Sequence, residues 1–341
     1  MKKKKLIVLS LITLIGLYSL WSFFGSVVKA PKDKYFYIHR GADFNSVKDT
    51  LLSLKILPND FFFKLVSKAV KYDKRILPGR YDISDVSNVV NLVRRLRSGE
   101  QSPVRLVINK LRTRADFAEK IGKNFDTDST AAMNFLSNND SLALLQLDTN
   151  TVMSIIIPNS YLILWTASYK NVIRRLKTEK EMFWNSARKE KARRIGLTPL
   201  QVYTLASIVE EETTQPEDKG AIASVYLNRL KKNMKLDADP TVRFAIGDFG
   251  IKRILHNHLD VNSPYNSYRN QGLPPGPICT PSIKTIDAVL NAPATEYYFF
   301  AARSDFKGYS VFATTYEEHL KNARAYQKAL DSLLASKKNI P

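Results

Sequence analysis

Apolar and polar positions divide this chain into three stretches with different patterns. The first is an uninterrupted run from Leu6 to Val28, 23 residues without a charge and mostly Leu, Ile, Val and Phe, long enough to cross a bilayer as a helix. Lys2 to Lys5 precede it, and Trp21, Phe23 and Phe24 stand near its far end. That arrangement predicts a cytoplasmic N-terminus over residues 1–5, a membrane anchor over 6–28 and an exported remainder. A cleaved signal peptide is the alternative. The run is long for its apolar region and Val28-Lys29-Ala30 is a poor cleavage site, so the pattern favours an uncleaved anchor.

The second stretch, 34–107, mixes short strand-like and helical patterns. Tyr35 to Ile38 reads as a strand, and Phe44 to Leu54 and Phe61 to Val70 repeat apolar residues at helical spacing, with Pro58 and Asn59 between them. After a turn at Pro78-Gly79 come a strand from Tyr81 to Ile83 and a helix from about Val86 to Arg97, closed by Ser98-Gly99. This order of strand, helix, helix, strand resembles the LysM carbohydrate-binding module.

The third stretch, 108–341, is longer and richer in helix. A strand at Val104 to Ile108 leads into it, and Thr113 with Asp116 opens a helix ending near Gly122. A polar, helix-rich part follows to Asp148, then the apolar Val152 to Ile157, a loop at Pro158-Asn159-Ser160-Tyr161, and one long basic helix from about Tyr169 to Arg194 with a solvated face. A helix from Glu217 to about Lys232 brings Ala221, Val225 and Asn228 to one side, where Asn228 is either a structural bridge or a substrate contact. Leu236 to Thr241 reads as a turn, with Asp239 before Pro240 as a turn residue. The proline-dense Gly272 to Pro277 reads as a stiff loop suited to the wall of a cleft. Strands at Tyr297 to Ala302 and Tyr309 to Ala313 and a last helix capped by Thr315 and Glu318 complete an α+β chain: an N-terminal transmembrane helix, a small LysM-like α+β unit and a larger mixed α+β domain.

Within the third stretch one helix carries a misplaced charge. Thr198 as N-cap, Pro199 at the first helical position and Gln201 completing a capping box set its start, and Pro216 its stop. At about 100° per residue, Leu205, Ile208 and Val209 share a stripe with Glu212, while Glu210 and Glu211 point elsewhere. A carboxylate on a core-facing stripe loses solvation, and the negative end of the helix dipole acts in the same direction, so both raise its pKa. A protonated carboxyl near neutral pH is what a general acid needs. A Glu paired with a buried Arg or Lys is the competing explanation.

Composition narrows the chemistry. The formal net charge is +20. For an exported chain this points to an anionic polymer or anionic lipid surface rather than nucleic acid. Cys279 is the single cysteine, without a base among its neighbours, so no intramolecular disulfide forms and a buried, inert thiol is expected. Of four histidines only His256 and His258 are close together, which supports no metal site; no nucleotide, dinucleotide or serine-hydrolase fingerprint occurs, and no cofactor is expected. Carboxylate chemistry remains.

Five ordered motifs now carry a resemblance: Ala206-Ser207-Ile208-Val209-Glu210-Glu211-Glu212-Thr213, Asn228-Arg229-Leu230, Asp239-Pro240-Thr241-Val242, Ser263-Pro264-Tyr265-Asn266-Ser267-Tyr268 and Gly272-Leu273-Pro274-Pro275-Gly276-Pro277-Ile278. Together they resemble the MltG (YceG-like) family of endolytic murein transglycosylases. The resemblance implies that Glu212 is the catalytic acid, with Asn228, Asp239, Thr241, Tyr265, Asn266 and Tyr268 as candidate substrate-binding residues. It further implies a lyase on peptidoglycan glycan strands, acting outside the cytoplasm near the synthases (penicillin-binding proteins). The chain departs from the family pattern at Asn159, in Pro158-Asn159-Ser160-Tyr161, and at Ser310, where a His is common. Two rivals follow from the same residues: a cell-wall glycan-binding scaffold without catalysis, and a muramidase with Asp237 or Asp239 as second carboxylate.

Overall fold

The computed structural model describes residues 7–11, 13, 14, 16 and 25–338. About half of the expected anchor over 6–28, including 17–24, falls outside them, and among the described residues no helix is long and apolar enough to cross a membrane. The fold is mixed α+β and divides into two compact units, the first taking the chain up to Leu106 together with Ile121–Asp128 and Tyr161–Lys170.

In the first unit β1 (Tyr35–Ile38) pairs antiparallel with β2 (Gly79–Asp82), and α1 (Phe44–Ser53), α2 (Phe61–Ala69) and α3 (Val89–Ser98) complete the core. Local chemistry sets these boundaries. Asp43 accepts the Ser46 N–H at 2.8 Å and Asn88 accepts the Asn91 N–H at 2.9 Å, each an N-cap. Gly99 ends α3 in the left-handed region at φ 72°. Alternate strand residues Phe36, Ile38 and Tyr81 turn inward onto Leu51, Phe63 and Leu92.

Further along lie β3 (Val104–Val107), α4 (Arg114–Asn124), α5 (Ser129–Leu136), α6 (Asn139–Ala143), β4 (Ser160–Ile163), α7 (Tyr169–Phe183) and α8 (Ser186–Arg194). Then follow α9 (Pro199–Glu212), α10 (Pro216–Lys231), α11 (Asp239–Ile246), α12 (Ile283–Leu290), β5 (Phe299–Ala302), β6 (Ser310–Ala313) and α13 (Tyr316–Lys338). The strands form three two-stranded pairs, β1 with β2, β3 with β4, and β5 with β6.

The structure differs from the expected elements at three points. The long basic helix is two, because the Asn185 side chain accepts the Arg188 N–H at 3.0 Å and caps a new start at α8. The stretch at Leu236 to Thr241 is not only a turn: Asp239 opens α11, with Pro240 in the first turn, where its missing N–H costs nothing. Helix α12, capped by Ser282, has no counterpart among the expected elements.

Helix α9 runs as expected from its Thr198 and Gln201 capping box, but it has no single apolar stripe. Every residue from Val202 to Val209 is buried, so the helix threads the core of the second unit, packed against α10, α11 and α12. Ser207 ties it to the proline-dense loop by accepting the Ile278 N–H at 3.0 Å. Cys279 is buried there, and burial pushes its thiol pKa well above the ordinary value.

Candidate active site

Three consecutive glutamates end α9, and the structure gives them different environments. Glu210 meets Lys219 of α10 at 2.9 Å and also accepts from Thr285 and Ser282 at α12. Burial pushes its pKa up, but the hydrogen bonds from Thr285 and Lys219 outweigh that and hold the carboxyl below its ordinary value. Glu211 takes a two-pronged contact from Arg112, at 3.2 and 2.9 Å, and Lys110 at 3.0 Å. Its pKa is likewise lowered, with the Arg112 and Lys110 bonds overcoming burial.

Among the described residues, no cation is in contact with Glu212. Its Oε1 accepts the Tyr226 hydroxyl at 2.5 Å, and its Oε2 has no partner among the described residues and opens into a cleft. Burial pushes the carboxyl up to about 7; the Tyr226 hydrogen bond opposes that rise and the nearby Asp239 charge adds to it. The result is a carboxylic acid that is about half protonated at neutral pH.

The cleft is about 330 Å³, with Glu212, Tyr226, Arg229, Asp239, Tyr268 and His319 among its lining residues, and Phe299 and Phe300 of β5 form an aromatic side. A second depression of about 320 Å³, bounded by the β5–β6 hairpin and Tyr326, shares Glu212 and Phe300 with the first. Glu212 thus stands at the boundary of two adjoining hollows.

Arg229 shapes the first hollow from below. It is buried, donates to the Tyr298 and Leu236 carbonyls at 2.7 Å each, and approaches Asp237 at 3.4 Å. Asp237, also on the cleft, has its pKa raised by burial against the pull of Arg229. The Tyr268 hydroxyl donates to Asp239 Oδ1 at 2.7 Å. Burial and this bond carry the Tyr268 pKa far above its ordinary value, so the phenol stays a donor.

The candidate binding residues separate into distinct groups. Asp239 and Tyr268 line the cleft with Glu212. Asn228 makes the contacts of a structural bridge: its amide donates to the Thr295 and Tyr297 carbonyls at 2.8 and 3.0 Å, holding the approach to β5. Thr241 is fully buried, its hydroxyl between the Ala238 carbonyl and Ser267. Asn266 is also fully buried and donates to the Leu259 and Val261 carbonyls at 2.8 and 2.9 Å. Tyr265 turns to Asn150 and Phe244. Neither these last four nor the proline-dense loop is among the cleft's lining residues.

Where the chain departs from the resembling pattern, Asn159 accepts its neighbour Ser160 N–H at 2.8 Å, and the Ser310 N–H donates to Asp218 at 2.6 Å on the edge of the second hollow. Sequence reasoning missed Tyr226 and His319. Tyr226 lies three residues before Arg229 on one face of α10, which marks a shared surface, but its meeting with Glu212 depends on how α9 and α10 pack.

Known proteins bear on this site. A protein of Bacillus subtilis named endolytic murein transglycosylase is 44% identical over 126 residues, which make up 37% of this chain and 34% of that protein. A Streptococcus pneumoniae protein of the same name is 34% identical over 131 residues, 24% of its length. The chain therefore matches about a third or less of each of these relatives. The crystal structure of a yceG-like protein from Listeria monocytogenes superposes with a TM-score of 0.56 at 26% identity, covering 84% of this chain and 98% of that one. The YceG-like family itself matches residues 36–325, most of the chain, and the chain belongs to that family.

Proposed function

We propose that this chain is an endolytic peptidoglycan lytic transglycosylase that cuts the β-1,4 bond between N-acetylmuramic acid and N-acetylglucosamine within a glycan strand, with Glu212 as its acid. One observation carries the reading: the only one of three adjacent glutamates without a cation partner has its pKa near 7 and sits where two hollows meet. A carboxyl between two hollows suits a bond with sugar on both sides. The relatives' name, endolytic murein transglycosylase, supports the same reaction.

The Glu212 Oε2 proton passes to the glycosidic oxygen as the C1–O4 bond breaks. The 6-hydroxyl of the muramic residue attacks its own C1, and the resulting Glu212 carboxylate takes that hydroxyl's proton. Bonds and protons balance without water, the product carries a 1,6-anhydro end, and the acid is regenerated. Because the nucleophile belongs to the same sugar, proximity replaces an activated water. Tyr226 holds Oε1, which leaves Oε2 as the oxygen that carries the exchangeable proton.

Asp237 and Asp239 on the same cleft favour a second reading, hydrolysis with a second carboxylate. Digestion of sacculi followed by mass spectrometry decides. Anhydro ends support the transglycosylase, reducing ends about 18 Da heavier support the muramidase, and no soluble product supports a scaffold. The small unit adds strand binding in our reading, residues 6–28 anchor the chain with its catalytic part outside the cytoplasm, and the cut ends strand elongation near the synthases. Protease added to intact spheroplasts should then digest the catalytic part; its protection until lysis would reverse the orientation.

A further inference from the structure

His319 lies in the first turn of α13, and its ring stacks on Phe299 of β5, with centroids 5.4 Å apart and planes at 25°. Tyr316 flanks it at 6.1 Å. The ring lines the same cleft as Glu212 and Asp239. Its Nδ1 is buried and has no hydrogen-bond partner among the described residues, whereas Nε2 is not buried and no described protein group claims it. Burial, and secondarily the Arg229 charge, lower the pKa of His319, so the imidazole is neutral near pH 7, with one N–H and one lone pair. A buried N–H without an acceptor is rarer than an unused lone pair. The proton therefore belongs on Nε2, which presents a donor to the cleft.

We infer that His319 is a substrate-binding residue that donates its Nε2–H to the acetamido carbonyl oxygen of an N-acetylhexosamine unit held in the Glu212 cleft. A neutral donor between aromatic faces matches a planar, uncharged amide. It offers nothing to the ammonium group of a de-N-acetylated sugar, which is itself a donor. A site built to hydrogen-bond one group rejects the analogue that lacks it, so His319 makes the cleft selective for N-acetylated strands. This inference rests on the transglycosylase reading.

The test compares full-length wild type with His319→Phe and His319→Gln on N-acetylated and de-N-acetylated glycan strands. Phe keeps the stack on Phe299 but loses the donor, and Gln carries an amide nitrogen to about the reach of Nε2. His319→Phe should lower kcat/KM on N-acetylated strands about tenfold and reduce the preference over de-N-acetylated strands by a similar factor, with His319→Gln recovering much of both. An unchanged preference in a folded His319→Phe, or equal loss in both variants, overturns the inference. Should His319→Phe fail to fold, His319→Gln against His319→Asn asks the same question, because Asn places its nitrogen near Nδ1; equal preference in those two overturns it as well. Wild type that releases no anhydro product from any strand would sink the transglycosylase reading instead, so the two failures are distinct.

Discussion

The last turn of α9 faces two regions that treat the same side chain in opposite ways. On one side Lys110, Arg112 and Lys219 surround Glu210 and Glu211 with cations and hydroxyls and keep them ionised. On the other, Glu212 meets a phenol, a neighbouring aspartate and an open cleft, and it holds its proton to about 7. All three carboxyls lose solvation. What separates them is the partner: contact cations repay the desolvation of a charge, whereas one hydroxyl does not. The cation-rich region anchors the end of α9, and the cleft region leaves an acid free to react.

Removing the acid tests the contrast hardest. Glu212→Gln keeps shape and can still accept from Tyr226, but it has no carboxylic proton, so anhydro-product formation should fall by roughly 10² to 10⁴-fold or more. Product release from sacculi by a folded variant at near wild-type rates would assign the wrong carboxylate. The same substitution should also alter stability. A pKa raised from 4.5 to about 7 means that the wild type carries its full stability below about pH 4.5 and loses some as pH rises through 7. That loss is on the order of 3 kcal/mol. Glu212→Gln should lack it and melt higher than wild type at pH 8, which calorimetry at pH 4.5 and 8 would read.

The cation-rich side should respond in the opposite sense. Glu210→Gln or Glu211→Gln leaves partly buried cations without their carboxylate and should cost about 1–3 kcal/mol in chemical unfolding. Both carboxyls have lowered pKa values, so this stability is present at neutral pH and is lost as pH falls below the ordinary carboxylate range. Equal melting of wild type and both variants at pH 7 would remove the anchoring role.

The smallest expected effect belongs to Tyr226→Phe. The phenol favours the charged form of Glu212, so its loss should raise the acid's pKa and move the alkaline fall of activity upward by about one pH unit. A downward shift, or none, would mean that the 2.5 Å contact does not hold the carboxyl in solution.

Much of this was legible in the residues. Capping chemistry at Thr198 and Gln201, alternation in Tyr35 to Ile38 and the left-handed Gly99 are local signals, and each produced its element. The split at Asn185 was not read: Asn is a favoured N-cap, but the basic residues behind it oppose the dipole of a helix start, and helical composition on both sides masked the break. Glu212 was chosen on the premise of an apolar stripe that the buried α9 does not have. The choice coincides with the cleft because the buried part of α9 ends at Val209, and the last turn emerges beside α10 and α11.

By itself, the sequence determined where the capped helices such as α9 start, the family, and which residue types could do chemistry, because these depend on residue types and on neighbours a few positions away. Only tertiary structure decided which glutamate keeps its proton. Lys110 and Arg112 reach Glu211 from about a hundred positions upstream, and Thr285 reaches Glu210 from 75 positions downstream. Tyr226 and His319 come to the cleft on separate helices. A pKa depends on distances of a few ångströms between such groups, and no pattern along the chain encodes those distances.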